Sequence, residues 1–416
     1  MRRTLFLAAF LLPFYCFAQD ALRLSLKQVD SLFLQNNLIL LSERFRIEAS
    51  KAAVIQVRLW DNPTLSTEWN AYNPDKKRVL DVAKGGQKIV SIEQVLLTAG
   101  KRSKQVALAI ENAQMTEYEF LDLLRTLKFE LRSSFFEVFF LQNTLNRYQL
   151  QINTLQTTVT AFEEQYEKNN VSLRELLRLK ALLFQLNNDK TEILFQIAEK
   201  QKGLKTLLNT NLQIVPLVNE AELNRYFLNG YTVAALSELA LQNRGDVKVV
   251  ESLKRQAELN YTLQKSLAVP NLRLGAVYDQ SGSYVNHYTG ITLGADLPFF
   301  NKNQGNIKTA KSLIEYQKGV QNQKTNAVSN EVAEAFQKVR YVENMVQSVD
   351  GKFTDQFEQL NKGVVENFQK RNLTLLEFID LIETYSESVK ELNRLKADRI
   401  GAYEELNFTV GQELFN

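Results

Sequence analysis

The sequence predicts a mainly helical, internally duplicated chain in which each half carries a pair of β-strands followed by two long helices. Three observations predict it. One segment occurs twice, long stretches contain neither proline nor glycine, and two pairs of short segments alternate apolar with polar residues. The last pattern is typical of strands, and the second of uninterrupted helices.

The duplication is visible directly. Residues 25–63 and 232–270 align without a gap, and the later segments 97–101 and 171–176 match 300–304 and 373–378. A repeat this long is a whole structural unit rather than one turn of a solenoid. We therefore expect a single intertwined body made of two repeats. Its expected parts are a first repeat over residues 19–210, a connection over 211–231 and a second repeat over 232–416.

The first residues predict export. Arg2 and Arg3 precede a short apolar run, and cleavage is expected after Ala18, so that residues 1–18 form a signal peptide. Cys16 is the only cysteine and would leave with that peptide, so the mature chain would have no disulfide and no thiol. A lipid anchor on Cys16 is the alternative, but the bulky residues 13–15 before it are not those of a typical lipoprotein signal.

The charge balance excludes a nucleic-acid partner. The chain has 50 basic and 47 acidic residues, a net charge of +3, without the basic excess of a nucleic-acid-binding protein.

Helix breakers are missing over long distances. No proline lies between Pro74 and Pro216, and no glycine between Gly100 and Gly203. A helix from near Lys101 to near Lys168 would extend ~100 Å at 1.5 Å per residue. We expect the second half to contain two long helices of its own, over about 305–371 and 374–410. Apolar residues at spacings of three and four indicate that these helices pack as coiled coils.

The four alternating segments are expected to be strands. They cover residues 65–71, 89–95, 272–278 and 291–297. Strands of about nine residues can cross a bilayer when tilted. Four strands cannot close a barrel, and an open edge in lipid would leave backbone groups unpaired. The barrel must therefore be shared between subunits; two chains would give eight strands and three would give twelve.

Residues 296–307, with a strand that ends in Leu297-Pro298-Phe299 before a polar turn and a long helix, resemble the TolC family of outer-membrane efflux proteins. Residues 62–66 and 94–102 are similar to the first-repeat counterparts of that pattern. The Asn-Pro-x-Leu-Ser opening and the Gly-Lys-Arg turn are most like the branch serving heavy-metal and cation pumps, the CzcC-like proteins. The resemblance covers essentially the whole mature chain.

The resemblance implies a homotrimer with a twelve-stranded barrel in the outer membrane of a Gram-negative bacterium. A coiled-coil helical barrel in the periplasm would continue it. The assembly would be the passive exit channel of a tripartite efflux pump, with metal cations among its possible substrates. Its partners would be outer-membrane lipid, a periplasmic adaptor (membrane fusion) protein and an inner-membrane transporter of the resistance-nodulation-division type.

Two helix-to-helix turns are the candidate contact sites. Each is a short polar interruption followed by a Ser or Thr that can cap the returning helix. An ordinary turn is the simplest interpretation, and the resemblance adds contact with the adaptor. The residues concerned are Asn170, Val171, Ser172, Leu173, Arg371, Asn372, Leu373 and Thr374.

Glu377 and Asp380 follow the second turn and share one helix face because they are three residues apart. The alternative is a solvated helix face, but the resemblance implies that these acids line a narrow periplasmic entrance. Three chains would then form a ring that concentrates cations. Close carboxylates would raise one another's pKa. At the matching positions the first repeat has Glu175 and Arg178.

We expect no catalysis, no cofactor and no metal site. His287 is the sole histidine, and the mature chain retains only two methionines, Met115 and Met345. One rival is a soluble periplasmic coiled-coil adaptor or structural protein, which would have one helical hairpin flanked by compact β modules. The other is an outer-membrane barrel enzyme, which would need acid–base groups at the barrel mouth.

Overall fold

Four long helices dominate the structure, a computed structural model that describes residues 21–228, 230–282, 284–349, 359 and 363–415. The expected signal peptide, with Cys16 and Ala18, lies outside the described residues. The longest helix has 67 residues and the other three have 36, 45 and 36. The predicted helix from near Lys101 to near Lys168 is thus present.

The described helices and strands follow one another along the chain in this order: β1 Ala21–Ser25, α1 Leu26–Asn36, α2 Leu38–Arg58, β2 Thr64–Trp69, β3 Tyr72–Asn73, β4 Arg78–Val79, β5 Lys88–Leu96, α3 Lys101–Glu167, α4 Leu173–Leu208, β6 Gln213–Leu217, α5 Glu220–Leu223, α6 Val233–Asn243, α7 Gly245–Leu267, β7 Leu272–Asp279, β8 Tyr288–Ala295, α8 Gln304–Ser348 and α9 Leu375–Val410.

The four expected strands form one antiparallel sheet in the order β2-β5-β7-β8. The repeats meet in its middle, where β5 pairs with β7 from Leu96 opposite Leu272 to Ile89 opposite Asp279. Within this sheet β2 and β8 each have a neighbour on one side only, so both outer edges are open among the described residues. The strands have six to nine residues, and β2, with six, is shorter than expected.

Two pairings were not predicted. β1 lies parallel to β6 with Ala21 opposite Gln213, which brings residues 21–25 beside residues 213–217. The pair β3 and β4 forms a small hairpin between the first two expected strands. The helix expected over 305–371 also differs: α8 ends at Ser348 because Val349 is extended, and residues 363–369 are helical again. Part of that expected helix lies outside the described residues.

The helices pack around two apolar clusters. The larger lies where α1, α3, α4, α6, α8 and α9 meet, and it includes Phe135, Phe136 and Phe140, which are buried. The smaller cluster lies near the helix turns and includes Leu179, Val364 and Phe378. Among the described helices, none combines the length and the apolar composition that a membrane span requires.

Candidate functional site

The first helix turn closes with hydrogen bonds typical of a helix C-terminus. Asn169 takes a left-handed conformation, with φ +57°, and the backbone N–H of Asn170 donates to the carbonyl of Gln165 at 2.9 Å. The side-chain amide of Asn170 also donates to the Gln165 side chain at 2.8 Å. This six-residue closure satisfies a carbonyl that the end of α3 would leave unpaired.

The second helix turn has the same geometry. Arg371 is left-handed, with φ +62°, and the N–H of Asn372 donates to the carbonyl of Asn367 at 2.8 Å. The Asn372 side chain donates to the Asn367 side chain at 3.2 Å. An arginine in this conformation is unusual, because a Cβ makes the left-handed region unfavourable by roughly 1 kcal/mol.

Both returning helices begin with a complete capping box. The hydroxyl and the N–H of Ser172 both donate to the Glu175 carboxylate at 2.8 Å, and the N–H of Glu175 donates to the Ser172 hydroxyl at 3.3 Å. Thr374 and Glu377 repeat these three hydrogen bonds at the same distances. The predicted Ser and Thr caps are confirmed, and the glutamate three residues later completes each one.

Glu377 therefore caps its own helix. Its carboxylate is fully exposed, and the hydrogen bonds from the Thr374 N–H and hydroxyl hold its pKa below the usual range. Glu175 is held in the same way by Ser172. Within one chain this hydrogen bonding lowers the pKa, whereas crowding of carboxylates was expected to raise it. Glu377 is consequently ionised at neutral pH, and Asp380 lies exposed one turn further along α9.

The structure places most of the predicted turn residues on the surface. Six of them are exposed: Asn170, Ser172, Leu173, Arg371, Asn372 and Thr374. Val171 and Leu373 are half-buried, and Leu373 packs against the smaller core cluster. Leu173 and Leu376 expose 50% and 61% of their surface, so each turn presents an apolar side chain to solvent.

Aromatic stacking joins the two turns to each other. Phe368 stacks on Phe378 with ring centroids 4.2 Å apart, and on Phe162 of α3 at 5.5 Å. Sequence reasoning missed this contact, although the spacing of these residues on apolar helix faces is a signal for it. It also missed the ion pair between Lys370 and Glu366 on one face before the second turn. The stacking packs the two turns against each other.

His287 lies in the segment between β7 and β8, where its Nδ1 is 2.8 Å from the hydroxyl of Tyr278. Across the part of the chain that the structure describes, no three His, Cys, Asp or Glu side chains converge as metal ligands.

No protein-family model matches the chain, and no curated protein matches it significantly. Solved structures do match. The chain is similar to CusC, solved in a study of folding and transmembrane channel formation, with a TM-score of 0.75, 17% identity, and coverage of 93% of this chain and 92% of that one. For the Campylobacter jejuni CmeC outer membrane channel the TM-score is 0.74 with 14% identity, covering 93% and 85%.

The outer membrane protein VceC of Vibrio cholerae matches with a TM-score of 0.72 and 14% identity, covering 93% of this chain and 96% of that one. At these identities the likeness concerns the fold. The chain shares the fold of these three solved structures over nearly its whole length.

Proposed function

We propose that three copies of this chain form a passive exit channel in the outer membrane of a Gram-negative bacterium. The observation that carries the proposal is the four-stranded antiparallel sheet with two open edges, in a chain whose fold is that of outer-membrane channels. An open edge inside a bilayer would leave backbone N–H and C=O groups without partners. Pairing β2 of one copy with β8 of the next removes both edges at once.

A ring of three chains would contain twelve strands and a ring of two would contain eight, and both numbers occur in outer-membrane barrels. We favour three because a ring of three chains encloses a wider lumen than a ring of two, and the substrates must pass through this lumen. In this arrangement the four long helices of each copy build the periplasmic helical barrel, and residues 1–18 are removed on export, with cleavage after Ala18. The repeats would span residues 19–210 and 232–416.

Intersubunit disulfides test the closure. A cysteine replacing Thr67 in β2 would be paired in turn with a cysteine at each position of β8, Tyr288–Ala295. Within one chain these strands are three spacings apart, about 14 Å, which is too far for a disulfide. We expect cross-linked species that end at three chains. A ladder that ends at two chains contradicts the trimer, and single-cysteine variants, which should stay monomeric, are the controls.

The helix turns are the proposed contact with a periplasmic adaptor. Each copy offers two turns with the same hydrogen bonds, and each turn has an exposed leucine. Leu173 is one of the predicted contact residues, and Leu376 lies two residues after the last of them, Thr374. Three copies would present six similar turns to the adaptor. The adaptor would link the channel to an inner-membrane transporter of the resistance-nodulation-division type, which would choose and load the substrate.

We propose that Glu377 and Asp380 form an acidic ring at the periplasmic entrance. Both side chains are exposed on one face of α9 directly after the turn, and Glu377 keeps its negative charge because Thr374 stabilises the carboxylate. Six carboxylates around one constriction would attract cations and hinder anions. Metal cations are therefore the substrate class that this entrance would favour.

The first experiment is fractionation of cells and measurement of the mass of the detergent-solubilised mature protein. We expect three chains in the outer-membrane fraction. A monomer in the soluble periplasmic fraction would contradict the channel proposal and favour an adaptor. The observed pair of helical hairpins, each preceded by two strands, already differs from the single hairpin expected of that rival.

A further inference from the structure

Four short segments join the sheet to the helices, at residues 57–63, 97–104, 265–273 and 296–308; we call them the junction belt. The chain as a whole is nearly balanced, with 50 basic and 47 acidic residues. The junction belt is not balanced, since it has eight basic residues and two acidic ones, Asp61 and Asp296. The basic residues are Arg58, Lys101, Arg102, Lys104, Lys265, Arg273, Lys302 and Lys308.

The junction belt is held in place by side chains. The ammonium of Lys101, a residue only 3% exposed, donates to the carbonyl of Val269 and to the side chain of Asn271, both at 2.5 Å. The Thr98 hydroxyl donates to the carbonyl of Pro270 at 2.5 Å. Two of the four segments, one from each repeat, are thereby tied together at the ends of β5 and β7.

The same segments expose large apolar side chains beside the cations. Phe300 is 96% exposed, Phe299 73% and Trp60 61%. The guanidinium of Arg102 lies 4.0 Å above the Trp60 ring, which places a cation directly on an exposed aromatic face. Such a combination of aromatic rings and cations is typical of membrane–water interfaces, where the ring enters the boundary and the cation meets the headgroups.

We propose that the junction belt binds anionic phospholipid headgroups at the periplasmic surface of the outer membrane. This rests on the proposed function, because the sheet must lie in the bilayer for its helix-facing end to lie at that surface. Of the two acids in the belt, Asp296 is paired with Arg273. Arg58, Lys265, Lys302 and Lys308 are exposed, and a zwitterionic headgroup would leave their charge unmatched. Each cation near an anionic surface contributes about a fivefold preference.

Trp60 is a built-in reporter, because the chain has only two tryptophans, Trp60 and Trp69. In a Trp69→Phe background the mature protein would be reconstituted into phosphatidylethanolamine vesicles. These would contain a minor fraction of either brominated phosphatidylglycerol or brominated phosphatidylcholine. Because two or more cations contribute about fivefold each, we expect the anionic lipid to quench Trp60 fluorescence with an association constant at least about 25-fold higher. Added salt should reduce the difference.

The test variant is Lys302→Gln with Lys308→Gln, two exposed lysines of the belt, which leaves Arg102 on the Trp60 ring and so preserves the reporter. Its preference for the anionic lipid should fall about 25-fold, a factor of about five for each lysine removed. The matched control, Lys180→Gln with Lys370→Gln, removes two exposed lysines beside the helix turns and should keep the wild-type preference. An unchanged preference in the test variant would overturn the assignment to the belt.

Conductance measured on the same vesicles separates this inference from the proposed function. Equal quenching by both lipids, with normal conductance, would refute the anionic preference and leave the channel intact. No quenching by either lipid, with normal conductance, would mean that another copy of the chain covers Trp60, and would also refute the inference. A protein that neither inserts nor conducts would refute the proposed function and the lipid site together.

Discussion

Asn37 and Arg244 occupy equivalent positions in the two repeats. Each donates a hydrogen bond to a backbone carbonyl of its own repeat, and these two carbonyls are also at equivalent positions. Asn37 Nδ2 is 2.9 Å from the carbonyl oxygen of Leu207, and Arg244 Nη1 is 3.2 Å from that of Thr409. Both residues sit between two helices, and both are 3% exposed. The duplicated fold thus keeps one buried contact with two different side chains.

Replacing Arg244 should destabilise the protein strongly. Its guanidinium also binds Asp246 at 2.7 Å and Glu331 at 2.6 Å. Burial alone would raise the pKa of Asp246, but the hydrogen bonds from Arg244 and Lys324 outweigh it and hold the pKa well below its usual range. Arg244→Ala leaves these acids without that partner, so we expect a loss of about 3 kcal/mol, measured by chemical denaturation in detergent.

Asn37→Ala is expected to cost less, about 2 kcal/mol, because it removes the cap of α2 and one hydrogen bond but strands no charge. The cap is the contact of Asn37 Oδ1 with the N–H of Leu40 at 2.9 Å. Arg394→Ala, at an exposed ion pair, is the control and should cost less than about 1 kcal/mol. A smaller effect at Arg244 than at Asn37 would contradict this ranking.

Arg132→Met should destabilise the protein in a pH-dependent way. Arg132 contacts Glu404 at 3.4 Å, and Asp30 and Glu413 at 3.2 Å each. Burial raises the pKa of Glu404, and the Arg132 charge opposes that rise. Without the Arg132 guanidinium, the pKa of Glu404 rises further.

A carboxyl whose folded-state pKa is raised lowers stability at high pH, and the penalty disappears as pH falls toward the unfolded-state value of 4.5. The variant should therefore lose roughly 3 kcal/mol near neutral pH and regain part of it on acidification toward about pH 5. Denaturation curves at the two pH values measure the difference. A deficit independent of pH would mean that lost packing, rather than unpaired charge, causes it.

The capping boxes predict local fraying. Ser172→Ala and Thr374→Ala should each cost about 1 kcal/mol and increase amide hydrogen exchange in the first turn of α4 or α9 only. Ser172→Thr, which keeps the hydroxyl, is the matched control. Exchange that rises at both turns after one substitution would show that the turns open together through the Phe162–Phe368–Phe378 stack.

The capping carboxylates predict the acid dependence of the turns. The pKa values of Glu175 and Glu377 are lowered, so their stabilising effect is complete above the unfolded-state value of 4.5 and is lost as pH falls through the folded-state value. The protection factors of the amides at the turns, which correct for the slower intrinsic exchange in acid, should therefore fall below that pH. Glu→Gln at either position should remove the dependence there.

Glu377→Gln also separates capping from charge. Glutamine can complete a capping box, so the helix should remain intact while the negative charge is lost. If the proposed acidic ring exists, Glu377→Gln and Asp380→Asn should reduce the preference of the channel for cations in single-channel recordings. Glu175→Gln removes the same carboxylate from the first repeat and is the control. Equal changes in all three variants would contradict a ring specific to Glu377 and Asp380.

Several features followed from local chemistry. Without proline or glycine nothing interrupts α3, and the capping residues Ser172 and Thr374 act over three residues, so sequence reasoning found them. The strand pairs followed from alternation. The unpredicted strand β1 pairs with residues far along the chain, and its five residues carry too weak a pattern to be recognised alone.

By itself the sequence determined the long helices, the duplicated order of elements and the polar turns, because helix formation and capping depend on neighbouring residues. Only the tertiary structure decided that β5 lies beside β7 and that Arg244 reaches Thr409. Burial and hydrogen-bond geometry select these contacts from many that the sequence would allow. The junction belt depends on both, since the sequence places its basic residues in four separate segments and folding brings these segments to one end of the sheet.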